Sequence, residues 1–162
     1  MPDTRNALVP SLVVALTQAL DEVTRRVGEI TAAEGLSVEQ WLVVRRLAEH
    51  GDQAMRDLVA GTRLNDSTLT RVVDRLAAIG AIYREADPTD RRRVRVTLSA
   101  RGRATHDRLW PSVEDVERGL LEGLDAAAVV TSLRQLGATD TENSSEKHTR
   151  PAMPRDSSRG AS

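Results

Sequence analysis

The residues best placed to do chemistry are arginines. Arg91, Arg92, Arg93 and Arg95 fall within five positions, and Arg71, Arg75 and Arg84 precede them. Guanidinium groups in such density suit phosphate and groove contact, although a run of charge is also a common solvated strand face. Val94, Val96 and Leu98 alternate with Arg93, Arg95 and Thr97, the period of a strand with one apolar and one basic face. Ala81 to Glu85 reads as its partner strand, and Asp87-Pro88-Thr89-Asp90 as the turn between them. Upstream, Asn65 to Ile79 reads as an amphipathic helix closed by Gly80. Its Leu69, Val72, Val73, Leu76 and Ile79 share one face, and Ser67, Thr68, Thr70, Arg71 and Arg75 lie mostly on the others. Short hydroxyl side chains and an arginine near a helix start can reach base edges, while a basic hairpin can reach the DNA backbone or minor groove.

Other chemistries find no support in the residues. There is no cysteine, hence no disulfide framework, thiolate nucleophile or zinc-thiolate site. His50, His106 and His148 are far apart and show no metal-ligand spacing. No H-E-x-x-H, glycine-rich phosphate loop or G-x-S-x-G occurs. The reading is therefore of a non-enzyme with no catalytic residues, no metal and no cofactor. A small hydrolase or transferase is the rival least supported.

Net charge is −1 over 162 residues, which alone argues against a nucleic-acid partner. Its distribution reverses the argument. Residues 1–53 carry a net −3, residues 54–103 a net +5 and residues 104–138 a net −3, and the remainder balances. A local basic surface makes the electrostatic footprint. All basic residues but Lys147 are arginine, a bias that a GC-rich genome also produces.

Around this segment the chain reads as mainly helical. Asn6 to Ala33 forms a long helix with Val9, Val13, Leu16, Leu20, Val23, Val27 and Ile30 in a sustained heptad seam. That seam is either core or the seat of a partner chain, and Pro10 either starts the helix or kinks it. Ser37 to Gln40 fits a capping box opening a second helix to His50, with Trp41, Leu42, Val44, Leu47 and Ala48 on its core face. Ala54 to Thr62 is a short third helix. Ser99 caps a helix running to about Gly123, where Leu109, Val113, Val116 and Leu120 repeat the seam spacing; Pro111 and Gly119 suggest a bend. Asp125 caps a last helix closed by Gly137. Trp41 and Trp110 read as core or interface residues, with a ligand-pocket role the lesser alternative. Residues 139–162 are polar and are expected to be disordered. No apolar run is long enough for a bilayer and no signal peptide is evident, so a cytoplasmic location is expected.

Val59-Ala60, the run Leu64 to Leu76, Gly80 to Arg84, Asp87 to Arg92 and Val96 to Arg103 together resemble a MarR-type winged helix-turn-helix regulator. The resemblance spans about residues 6–138. It implies a mainly α fold with a winged helix-turn-helix at about 37–99, a small β-hairpin wing, and a helical dimerisation region from both chain ends, about 6–33 and 100–137. It implies a homodimer on double-stranded, pseudo-palindromic operator DNA, usually a repressor released by a small ligand, for which a small aromatic or apolar acid is the class expected. It assigns recognition-helix positions to Ser67, Thr68, Thr70 and Arg71 and wing positions to Asp90 and Arg92; the basic pattern adds Arg75, Arg84, Arg91 and Arg93 as DNA-contact candidates. Arg92 would be the wing-tip residue and Asp90 its orienting partner; an ion pair of Asp90 with Arg75 or Arg92 is the favoured reading, and a role in shaping the turn the lesser one. Lack of cysteine departs from relatives that sense peroxide. The alternative is a winged-helix module that binds protein or RNA through its basic wing.

Overall fold

A computed structural model describes residues 11–86 and 94–138. The predicted turn at 87–90, Val9, Pro10 and the polar tail at 139–162 lie outside the described residues. The chain divides into two compact units, one ending at Leu120 and one beginning at Leu121.

The first unit opens with α1 (Leu12–Ala32), α2 (Val38–His50), β1 (Gln53–Ala54), α3 (Met55–Thr62) and α4 (Asp66–Ala78). It closes with β2 (Ile82–Ala86), β3 (Val94–Leu98) and α5 (Ala100–Leu120). The expected capping box is present. The Gln40 amide donates to Ser37 Oγ, and the Ser37 amide donates to Gln40 Oε1 at 2.8 Å. Asn65 caps α4 by accepting from the Thr68 amide at 2.8 Å.

The core gathers α2, α3, α4, the sheet and α5. Val43, Val44, Leu58, Leu69, Val73, Leu76, Val96 and Val113 are wholly buried. The apolar face of α4 is as expected except at Ile79, which ends the helix half out in solvent. On α2 the pattern shifts: Leu42 is exposed, while Val43 and Gln40 are buried. The cause is that α2 packs against α1, α3, α4, α5 and β3 at once, so its buried arc is wider than one stripe.

The two predicted strands pair antiparallel, with Ile82 opposite Leu98 and Ala86 opposite Val94. A third strand was not expected. β1 is only two residues long, too short for any period to show, and it places Gln53 opposite Val96 and Ala54 opposite Arg95. β3 is thus the central strand. Val96 is fully buried, but Val94, at the outer end of the strand, is exposed, so the apolar face is shorter than the alternation implies.

The seam on α1 changes character along its length. Val27 is buried and Ile30 packs on the core, whereas Leu12, Val13, Val14, Leu16, Leu20 and Val23 are all exposed. The seam on α5 goes the other way: Leu109 and Val113 are buried in this chain's own core. α5 contains Pro111 and ends at Leu120.

A bidentate pair fastens α5 to the end of α1. Arg108 Nε and Nη2 donate to the two Glu34 carboxylate oxygens at 2.8 Å each. This bonding holds the Glu34 carboxyl below its usual range. The stabilisation is therefore complete above the ordinary glutamate value and is lost as pH falls through the lowered one. In Arg108→Ala, NMR titration should show the Glu34 carboxyl moving up toward the ordinary range; an unmoved titration would mean that the pair does not form in solution.

The second unit, where described, holds α6 (Ala126–Ala138). Asp125 Oδ1 accepts from the Ala128 amide at 3.0 Å, the expected cap. The helix runs past Gly137 instead of stopping there. Val130, Leu133 and Leu136 are exposed. Among the described residues no helix is long and apolar enough to cross a membrane.

Candidate nucleic-acid interface

α4 presents two unlike faces. Leu69, Val72, Val73 and Leu76 anchor it in the core, and Ser67, Thr70, Arg71 and Arg75 are exposed on the opposite side with Thr68 partly so. Three of these side chains are steadied by the helix itself. Ser67 Oγ donates to Asn65 Oδ1 at 2.9 Å, Thr70 Oγ1 to the Asp66 carbonyl at 2.8 Å, and Arg71 Nε to the Ser67 carbonyl at 3.4 Å. Arg75 makes no ion pair among the described residues, so its cation faces solvent. The approach to α4 is set by Arg63, whose φ of 58° places it in the left-handed region. Through it the chain turns from α3 into α4, the corner of a helix-turn-helix.

Sequence reasoning put Arg84 among the contact residues. The structure brings its guanidinium to the Asp74 carboxylate of α4, at 2.6 Å. That pair joins β2 to the outer side of α4. Arg95 Nη2 donates to the Asp52 carbonyl at 3.1 Å, tying the central strand to the turn before β1. Asp90, Arg91, Arg92 and Arg93 lie outside the described residues. The chain carrying them connects the paired ends Ala86 and Val94.

A residue missed by sequence reasoning adjoins this surface. Ser37 and Glu39 at the start of α2 line an open cleft of about 210 Å³ with Thr68, Arg71, Val72 and Arg75 of α4. In the sequence, Glu39 shows only as a first-turn acid of a capped helix, and nothing there reveals which helix lies across from it.

Away from this face, α2 and α5 hold a stack. Trp41 and His106 lie with ring centroids 5.4 Å apart, and His106 and Trp110 6.2 Å apart, all nearly parallel. Arg45 lies over Trp110, its guanidinium carbon 3.4 Å from a ring centroid. Arginine only donates, so His106 Nε2, 3.4 Å from Arg45 Nη1, is the acceptor, and Nδ1 carries the proton toward Asp107 at 2.9 Å. Trp41 and His106 are buried. Trp41 is thus a core residue, with Trp110 packed against that core. Among the described residues no group of three or more His, Cys, Asp or Glu side chains is placed to hold a metal ion.

Comparison with known proteins agrees with this architecture. A family model described as MarR family matches residues 36–94. The HTH-type transcriptional repressor NicR of Pseudomonas putida is 28% identical over 104 residues, covering 62% of this chain and 66% of that protein. The homoprotocatechuate degradative operon repressor of Escherichia coli is 28% identical over 108 residues, covering 67% and 73%. Among solved structures, a probable transcriptional regulator from Pseudomonas aeruginosa is 32% identical with a TM-score of 0.64, covering 80% of this chain and 96% of the other. BpsR of Bordetella bronchiseptica, whose DNA binding is regulated by 6-hydroxynicotinic acid, is 27% identical with a TM-score of 0.70, covering 79% and 99%. With the motif run of α4 and the strand that follows it, these matches establish that the chain belongs to the MarR family.

Proposed function

We propose that the chain is a dimeric, sequence-specific DNA-binding transcriptional regulator, a repressor whose hold on a pseudo-palindromic operator is relieved by a small aromatic or apolar acid. The observation that carries the reading is α4: an apolar face fixed in the core, and an outer face of hydroxyls and arginines beside an arginine-rich hairpin. Such a helix reads the major groove from its first turns. Phosphate contacts by arginine supply affinity, and base edges with groove shape supply preference. The relatives support the class: NicR is a repressor, and BpsR responds to an aromatic acid. The exposed apolar halves of α1 and α6 are the surfaces we assign to a partner copy. A protein working on chromosomal DNA works in the cytoplasm, and the reading includes no catalysis.

Two variants test it on operator and scrambled DNA at two salt concentrations. Arg71→Ala should weaken operator binding by about 1–3 kcal/mol and relax preference at one position, as expected for a lost guanine-edge contact. A uniform loss across sequences would make Arg71 a phosphate contact. Arg92→Ala should weaken all sites, A·T-rich flanks most, and flatten the salt slope by about one. If Arg92→Ala binds as the parent does with an unchanged slope, the hairpin is not a DNA-contacting wing. The protein- or RNA-binding module is then the better reading.

A further inference from the structure

Asp74 sits oddly on its helix. It lies one turn beyond Thr70 and Arg71 on the exposed side of α4, where a carboxylate would repel a phosphate backbone. The structure gives it a partner. Arg84 reaches over from β2 and sets its guanidinium 2.6 Å from the Asp74 carboxylate, with both side chains open to solvent. The fold does not depend on this pair. The corner between α4 and β2 is already closed by backbone bonds, from the Gly80 amide to the Ala77 carbonyl and from the Ala81 amide to the Leu76 carbonyl, each at 2.9 Å. An exposed ion pair adds little to stability beside such bonds. What the pair does change is the charge that α4 and β2 turn outward: an acid is neutralised, and an arginine is occupied.

We propose that Asp74 is an affinity-limiting residue: by pairing with Arg84 it keeps that guanidinium from a DNA backbone phosphate. The proposal rests on the DNA-binding reading above. A carboxylate and a phosphate are alternative acceptors for the same forked donors, and the carboxylate is already in place on the neighbouring element. The chain therefore meets DNA with one arginine fewer than its basic segment carries. Contacts to phosphate carry no sequence information, so withholding one lowers affinity for every duplex by the same factor. The pair sets how tightly the protein holds DNA and leaves sequence preference to the other side chains of α4.

The test compares Asp74→Asn with the double variant Asp74→Asn/Arg84→Ala, by fluorescence anisotropy across a salt series. The probes are a duplex that the purified protein selects from random sequence and a scrambled duplex. Glu29→Gln is the control: Glu29 is an exposed carboxylate on α1 paired with Arg25, and its loss changes net charge equally. Asp74→Asn should raise affinity about tenfold on both duplexes at low salt and steepen the salt slope by about one, because the freed Arg84 then neutralises one more phosphate. The double variant should return to the parent's slope, and both should melt close to the parent. A parent that binds DNA while Asp74→Asn matches it in affinity and slope overturns the proposal alone. So does an equal gain in Glu29→Gln, a gain confined to one sequence, or a melt of Asp74→Asn far below the parent's. A steepened slope that survives in the double variant would mean that Arg84 is not its source. A double variant flatter than the parent by about one would mean that Arg84 already contacts phosphate, and either result overturns the proposal. A parent that retains no duplex at low salt overturns the DNA-binding reading and this proposal with it.

Discussion

Gly102→Ala is expected to lose about 3 kcal/mol of stability or more, beyond the upper part of the usual range for overpacking. Gly102 lies in the first turns of α5, where the helix passes over the start of β2. A Cβ at this position would overlap the Ala81 carbonyl oxygen and stand 2.7 Å from Leu98 Cδ1. The Leu98 side chain can swing aside, but the backbone carbonyl cannot yield cheaply. The Ala81 carbonyl accepts the Ser99 amide at 3.0 Å, Ser99 Oγ donates to the Gly80 carbonyl at 2.7 Å, and the Gly102 amide donates back to Ser99 Oγ at 2.9 Å. Adding a side chain would have to break this knot. The helix preference of alanine over glycine, worth about 1 kcal/mol, does not offset that. Gly119→Ala in the same helix is the contrast, since a Cβ there meets nothing within 4 Å. It should be neutral or stabilising by up to about 1 kcal/mol. Thermal melts of the two variants decide it; Gly102→Ala melting with the parent would show that the backbone approach is looser than described.

Leu20→Asp should turn the dimer into a folded monomer and lower operator affinity at least about a hundredfold. Leu20 is 66% exposed and sits in the run of uncovered apolar residues from Leu12 to Val23. A row of this kind along one helix marks a contact surface. A carboxylate at its middle would be buried unpaired between two copies, a cost neither copy can relieve. The core begins below it, at Val27, so each separated chain should keep its fold. The large effect on DNA comes from linkage: two reading helices held together bind as one event, and separated they lose an effective concentration worth about 10²–10⁴ in avidity. Sedimentation at micromolar concentration and a gel shift measure both halves. A variant that remains dimeric places the interface elsewhere.

Much of this was legible in the sequence for identifiable reasons. α4 was readable because its periodicity, its Asn65 cap and its Gly80 stop all agree. The β2–β3 hairpin was readable because alternation and turn residues point the same way. β1 was not, since two residues carry no period and their pairing with Val96 depends on chain about forty positions away. The split seam of α1 was half legible: spacing shows that Val13 to Ile30 lie on one side, but not that the lower half meets α2 and α5 while the upper half stays uncovered among the described residues. Arg84 shows the limit at the site. Its type suggests DNA, and only the turn between α4 and β2 reveals that Asp74 is within reach. Glu39 was hidden likewise, because a first-turn acid reads as helix support until the facing helix is placed.

The Ser99 knot also bears on how a signal could cross the molecule. β3 ends at Leu98 and α5 begins at Ala100, with Ser99 hydrogen-bonded to both Gly80 and Gly102. No slack chain separates the long helix from the root of the reading head, and Gly80 is itself the stop of α4. The start of α5 is therefore tied directly to the corner between α4 and β2. At about 1.5 Å per residue α5 is about 30 Å long, so a tilt of roughly 10° at one end sweeps the other through about 5 Å. A groove-to-groove fit does not tolerate that sweep. In the dimer proposed above, a rotation of α5 about that corner would change the spacing of the two reading heads without unfolding α4.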